Sequence, residues 1–398
     1  MKTVDLYRTK ANCCGCELCS QVCPKHIIEM KPDGEGFVYP SIEDESLCID
    51  CHKCLKACPM KGVNRMGNKH RISYGGYAQN EEDVKRSASG GYAYLISTEF
   101  IKNGGVVYGV KYTDDFLSVE YSRAEKREDI ELFRGSKYVQ ASKGTVYCKV
   151  QEDLKADRKV LFVGLPCEIS ALYHYLGVNS SQLYTAALIC HGPTAQKVHK
   201  SFCSEEFHNQ GIHYFTMRGK LEGWKPYYIR AILDKDKEYQ KKFIETDYDV
   251  AFKYLKRPSC SVCKYKLGNQ EFGVVSDIIL GDYHGVRSES RAYNKWGVSQ
   301  VSIFSDKGEE LFSMIKSHCV YSPIDYSVLL KSNMALVKAI PQRFFRGRFS
   351  RIYQREGLHI ASTDYAIKIE TRIRTAKKSM KSIGAKVKSL LRRLVIRK

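Results

Sequence analysis

Sixteen cysteines stand among 398 residues, and eight of them fall in two runs whose spacing repeats. Cys13, Cys16, Cys19 and Cys23, followed by Pro24, read C-x2-C-x2-C-x3-C-P, and Cys48, Cys51, Cys54 and Cys58, followed by Pro59, repeat it. Three thiolates this close along the chain can wrap one iron–sulfur cluster while backbone N–H groups point at its sulfurs. The fourth, carried away by the turn before proline, reaches the other cluster. The expected ligand sets therefore cross: Cys13, Cys16, Cys19 and Cys58 for one 4Fe–4S cluster, and Cys48, Cys51, Cys54 and Cys23 for the second. Zinc also uses C-x2-C, but it has no need of eight cysteines in a repeated run ending each time in Cys-Pro. Cys14 is the spare thiol of the first run. Such a module moves single electrons.

A second constellation is spread more widely. Lys159 to Val163 reads as a buried strand, Gly164-Leu165-Pro166-Cys167 as a turn into a helix from Glu168 to about Leu176, and Leu183 to Ile189 as a further strand ending at Cys190-His191-Gly192. A right-handed β-α-β crossover would lay the strands parallel. Cys167 and Cys190 would then share the carboxyl rim where open α/β sheets build their sites. Cys260-x2-Cys263, after Arg257-Pro258-Ser259, completes a possible four-thiolate site. A third 4Fe–4S cluster is the favoured occupant and zinc the alternative; cysteine is also a common small core residue. Cys148, Cys203 and Cys319 have no partner at ligand spacing and are expected as buried thiols.

Two loops complete the candidates. Arg86-Ser87-Ala88-Ser89-Gly90-Gly91 leads into an expected helix, Tyr92 to Ile101. Ser and Gly at a helix start free backbone N–H groups for a phosphate, and Arg86 adds a charge-assisted contact. The plainer alternative is a Ser N-cap followed by a glycine turn. Ser276 to Gly285 reads as a strand running into a loop that presents Asp282 and His284.

Taken in order, Arg86 to Gly91, Gly164-Leu165-Pro166-Cys167-Glu168-Ile169, Cys190-His191-Gly192, Arg257 to Cys263 and Asp277-Ile278-Ile279-Leu280-Gly281-Asp282 resemble the beta subunit of coenzyme F420 hydrogenase/dehydrogenase over roughly residues 70 to 340. Residues 8 to 65 resemble bacterial-type two-cluster ferredoxins. The chain is also similar to bacterial versions that carry a ferredoxin domain in front and accompany surface-polysaccharide genes. The resemblance implies FAD as cofactor, with Arg86, Ser87, Ser89, Gly90, Gly91 and Asp282 as its contacts. It also implies that Cys167, Cys190, Cys260 and Cys263 hold a cluster near the flavin. The chain departs from the family in having Tyr283-His284 where Phe-Trp is usual, and Pro193-Thr194 directly after Cys190-His191-Gly192.

The elements that must position these groups suggest an α/β protein, α+β overall: a ferredoxin domain over 1–65, an α/β flavin and iron–sulfur domain in two parts over 70–155 and 156–340, and a basic amphipathic tail over 341–398. Between Pro341 and Lys398, 17 Lys and Arg face three acids, a surplus of 14 out of the chain's net +20. From Ile369 the apolar residues Ile373, Ala376, Met380, Ile383, Val387, Leu390 and Leu394 follow at steps of 4 and 3. A basic helix with such a stripe suits an anionic membrane surface or a partner helix; nucleic acid is not expected for want of a recognition motif. The start, Met1-Lys2-Thr3-Val4-Asp5, lacks an export signal and no apolar run approaches the ~18 residues of a span, so a reducing cytoplasm is expected, with attachment at the inner membrane face through the tail. The functional expectation is an iron–sulfur flavoprotein oxidoreductase served by a soluble carrier such as ferredoxin, a reduced nicotinamide or a deazaflavin. The alternative is an electron-carrier or adaptor subunit without flavin.

Overall fold

Val, Ile, Leu and aromatic residues crowd the runs Val106–Tyr112, Val160–Gly164, Leu183–Leu188 and Ile278–Asp282 with little alternation, the pattern of strands buried on both faces. The computed structural model describes residues 5–61, 69–177, 179–268 and 273–376. Its strands are β1 (Ile28–Pro32), β2 (Val38–Ile42), β3 (Ile72–Ala78), β4 (Val106–Tyr112), β5 (Val119–Ala124), β6 (Val160–Gly164), β7 (Leu183–Leu188), β8 (Ile212–Gly219), β9 (Tyr228–Leu233), β10 (Lys237–Lys242), β11 (Ile278–Asp282), β12 (Ser299–Ile303) and β13 (Cys319–Pro323). Eight of them form one mixed sheet in the order β13-β3-β12-β11-β7-β6-β4-β5. Its centre, β11-β7-β6-β4, is parallel, and its flanks are antiparallel. The expected β-α-β unit is present: β6 and β7 pair in parallel, Val160 opposite Leu183, across the helix Pro166–Leu176. That helix starts with Pro at N1, where a missing N–H costs nothing, and ends at Gly177 with φ +69°.

Successive residues of the central strands serve opposite faces. Tyr108, Phe162 and Ala187 pack with helices Val146–Lys155 and Pro166–Leu176 on one side. Val107, Leu161 and Ala186 pack with helix Tyr92–Lys102 on the other. Phe162 and Leu161 are both fully buried, each contributing about 2 kcal/mol of hydrophobic stabilisation. A third core lies beside the small sheet β10-β9-β8, around Phe202, Tyr248 and Phe349.

The N-terminal segment is docked on this body. It consists of the hairpin β1-β2 and two one-turn helices, Leu18–Gln21 and Lys53–Lys56. Arg346 grips the Glu35 carboxylate with two N–H groups at 2.9 and 2.5 Å, and Ser350 Oγ donates to the same group at 2.6 Å. Tyr147 Oη donates to Cys16 O and Tyr265 Oη to Pro59 O, each at 3.0 Å. The start of the stretch expected as a tail is likewise part of the body: Phe349, Tyr353, Leu358, Ala361 and Ile367 are buried. Residues 365–376 are helical, with Ile367 and Glu370 turned inward and Ile373 49% exposed. Met380 to Leu394 lie outside the described residues. Among the described residues no helix is long and apolar enough to cross a membrane.

Candidate redox site

The two cysteine runs fold alike. Each turns through a left-handed residue, Glu17 (φ +62°) or His52 (φ +54°), into its short helix. Burial pushes the Cys19 thiol up, and Cys13 and Cys58 add to the shift. Burial also raises Cys54, with Cys23 and Cys51 adding to it. Cys58 of the second run thus stands near Cys13 and Cys19 of the first, and Cys23 of the first near Cys54 of the second. Backbone N–H groups of Gly15, Leu18, Ser20, Leu55 and Met60 point at the sulfurs of Cys13, Cys16, Cys19, Cys54 and Cys58.

The widely spaced set also converges. Cys167 sits in the first turn of helix Pro166–Leu176, Cys190 two residues past β7, and Cys260 and Cys263 in and just after the 3-10 turn Pro258–Val262. Gly192, at φ +89°, lets the Cys190 loop lie against Cys260; a Cβ there would be 2.9 Å from Cys260 Cβ. Its N–H donates to Cys190 Sγ at 3.2 Å. Burial raises the Cys260 thiol, and Cys190 and Cys263 add to it. Lys266 Nζ fixes the loop by donating to Cys190 O and Ala335 O, both at 2.5 Å. Cys14 turns its thiol to both Cys16 and Cys167, at the seam between the first run and this set. Of the remaining thiols Cys203 and Cys319 are buried, whereas Cys148 is only half-buried and donates to Glu152 at 3.3 Å. That corrects its expected burial: it lies on an outward position of helix Val146–Lys155.

Beside the Cys190 turn a cavity of about 310 Å³ opens at the carboxyl ends of β4, β6, β7 and β11. Ser87, Ser89, Gly91, Cys190, His191 and Asp282 all line it. Helix Tyr92–Lys102 begins there, behind Gly91 at φ +95°. Gly90 lies behind the wall: a Cβ would be 2.4 Å from Gly76 O, and its N–H donates to Ser299 Oγ at 2.9 Å. Ser89 Oγ is engaged with Val298 O at 2.7 Å, while the buried Ser87 Oγ has no partner. Arg86 is not among the lining residues and ion-pairs with Glu131 at 2.7 Å. Asp282 accepts from Arg218 Nη1 at 3.0 Å, and His284, stacked on Trp224, approaches the same carboxylate at 3.8 Å.

Arg218 and Lys137 were not singled out from the sequence, yet both line this cavity. Arg218 has Nε and Nη2 buried without partners, and its plane lies 4.1 Å from the Tyr227 ring centroid. Burial holds Lys137 down to about 7. Burial, with Lys256 and Lys266 adding to it, brings His191 to about 4. At neutral pH the imidazole is therefore neutral and Arg218 is the constant positive charge. An Arg-Gly-Lys run at 218–220 was the available signal, but any surface strand offers such charges.

Residues 157–325 match the family model for the C-terminal region of the coenzyme F420 hydrogenase/dehydrogenase beta subunit, and residues 12–63 that of the 4Fe–4S dicluster domain. An uncharacterized protein of Methanocaldococcus jannaschii is 24% identical over 304 residues, covering 71% of this chain and 77% of its own. The F420-reducing NiFe hydrogenase complex from Methanosarcina barkeri, solved with xenon, contains a chain that is 16% identical with a TM-score of 0.47, over 68% of this chain and 89% of that one.

Proposed function

With residues 157–325 grouped among coenzyme F420 hydrogenase/dehydrogenase beta subunits and residues 12–63 among 4Fe–4S dicluster domains, we propose that this iron–sulfur electron-transfer protein is a flavin-dependent oxidoreductase. It passes electrons between a soluble one-electron carrier and a two-electron substrate. The observation that carries this reading is the double duty of one turn: Cys190 belongs to the third thiol set, and Cys190 and His191 also wall the cavity.

The residues present suit the proposed groups. The thiols of Cys167, Cys190, Cys260 and Cys263 gather as an all-sulfur donor set, which suits a 4Fe–4S cluster. In the cavity, the unpartnered Ser87 Oγ, the N–H groups opening helix Tyr92–Lys102 and the Arg218 guanidinium offer donors to an anionic dinucleotide such as FAD. Bound there, a flavin would supply the exchange between single electrons and electron pairs that organic reductions need. Asp282 holds Arg218 in place, and Lys137, near neutrality at physiological pH, is suited to hold or release a proton at Nζ. Ferredoxin would act as the one-electron carrier, and a reduced nicotinamide or a deazaflavin, as a hydride donor, would instead exchange an electron pair with the flavin. A polysaccharide precursor as substrate rests on the resemblance, and attachment to an anionic membrane face rests on the charge of the tail.

The test is reduction of the reconstituted protein by a reduced ferredoxin, followed through flavin absorbance. Wild type should bleach rapidly, and Cys190→Ser should keep its flavin while bleaching far more slowly. Equal rates would remove the third thiol set from the path; clusters without retained flavin would leave an electron carrier or adaptor.

A further inference from the structure

Arg257 is 1% exposed, and its donors are spent across the seam between the first cysteine run and the body. Nε donates to Cys13 O at 2.8 Å, Nη1 to Gln140 Oε1 at 2.9 Å, and Nη2 to Val38 O at 2.7 Å and to Cys13 Sγ at 3.5 Å. The Tyr39 ring centroid lies 4.3 Å from the guanidinium carbon. No acceptor in this set is a carboxylate. A guanidinium taken out of water without an anion is strongly disfavoured, and the anionic groups within reach are the thiolates. On the other side, Arg257 opens the turn that carries Cys260, whose N–H donates to Arg257 O at 2.9 Å. The turn Lys10–Asn12 packs on that same Pro258–Val262 turn. Gly15 is small for the same reason: a Cβ would stand 2.5 Å from Arg257 Nη1. Cys14, touching Cys16 of one set and Cys167 of the other, marks the same boundary.

We propose that Arg257 is the shared counter-cation of the first ferredoxin cluster and the third cluster. It is a positioning residue that holds the two sites face to face and raises the reduction potential of both. The inference rests on the assignment of Cys13, Cys16, Cys19 and Cys58 to one cluster and Cys167, Cys190, Cys260 and Cys263 to the other. The step concerned is electron transfer alone: one site loses an electron, its neighbour gains it, and no bond or proton moves. Reduction adds negative charge, which a buried guanidinium and an N–H···S contact stabilise, so the potential rises with them. The second ferredoxin site, with Cys48, Cys51, Cys54 and Cys23, has no bond from Arg257 and serves as the internal reference.

The experiment is an EPR-monitored redox titration of the reconstituted full chain, comparing wild type with Arg257→Gln, Arg257→Lys and Gln140→Leu. In Arg257→Gln the reduced-to-oxidised ratio at a fixed potential should fall roughly tenfold at the first ferredoxin site and the third cluster, equivalent to about 59 mV for one electron, with the second ferredoxin site unchanged. Arg257→Lys keeps the charge without the fork, so its shift should be smaller but of the same sign. Gln140→Leu loosens the same seam without touching the charge and should leave all three potentials near wild type. Unchanged potentials in both Arg257 variants, or equal shifts in Gln140→Leu, would overturn the proposal. If Arg257→Gln fails to load its clusters, Arg257→Lys decides alone, and an unshifted potential there counts against it. A wild type lacking three separable cluster signals would instead fault the cysteine assignment, before Arg257 is tested.

Discussion

At Gly192 the backbone sits at φ +89° with Cys260 Cβ only 2.9 Å from where a side chain would begin. If the third thiol set holds a cluster as proposed, a Gly192→Ala chain should fold but lose about a third of its cluster iron, since only that one of the three proposed sites is spread. Iron analysis and the EPR signal count check this. His199 makes a different prediction. It is fully buried, its Nε2 lies 2.8 Å from Phe116 O, and burial holds its pKa down to about 4. The folded state thus binds fewer protons than the unfolded state between about pH 6.5 and 4. This contribution is complete above about pH 6.5 and is lost as pH falls, reaching on the order of 2 to 3 kcal/mol near pH 4. Denaturant midpoints should show that acid limb, and His199→Leu should flatten it. The eight cysteines of the repeated runs were legible because spacing alone encodes a cluster. Arg218 and Lys137 were not, because burial gives them their weight and one more Arg or Lys in a basic chain carries no mark of it; Arg257 stood out only as the start of the Cys260 stretch, with no sign of its burial.

Among elements, the helix Pro166–Leu176 is tied down by one buried carboxylate. Glu168 accepts from Leu165 N at 3.0 Å and Tyr121 Oη at 2.6 Å, and pairs with Lys143 Nζ at 2.9 Å, with side chains 4% and 0% exposed. Lys143→Met would leave that carboxylate unpaired at a cost of about 3 kcal/mol, and adding Glu168→Gln should recover part of it. Thermal unfolding of the single and double variants is the check. Asp277, part of one of the stretches that carry the family resemblance, proves to be a clamp between strands: its carboxylate accepts from Thr185 N at 2.8 Å, Thr185 Oγ1 at 2.7 Å and Ser305 Oγ at 2.6 Å. The β6-helix-β7 unit could be read from its apolar runs and its Pro and Gly punctuation. The antiparallel flank could not. β12 buries Ser299, Gln300 and Ser302, and β3 carries Gly75 and Gly76, so both have the composition of loops. What makes β12 a strand is partnership across the sheet, such as Ser73 Oγ to Ser302 Oγ at 2.8 Å, which local sequence does not show.

Over the whole molecule, the ferredoxin segment is clamped on the body through Glu35, Arg346 and Arg257, contacts between residues more than 200 positions apart that no local pattern announces. The basic stretch divides in two. Residues 346–370 are packed on the body, and between Lys377 and Lys398 stand nine Lys and Arg and no acid. The full chain should sediment with anionic vesicles at low salt and release as salt rises, whereas a chain ending at Ala376 should stay in solution. Equal binding to neutral vesicles would contradict an electrostatic attachment. The proposed union of three cluster sites with a flavin cavity in one chain is best checked by content per chain. After anaerobic reconstitution with iron, sulfide and FAD, followed by desalting, about twelve irons and one FAD should be released on denaturation. About eight irons and no flavin would contradict it, leaving a two-cluster ferredoxin borne on a body that binds neither group.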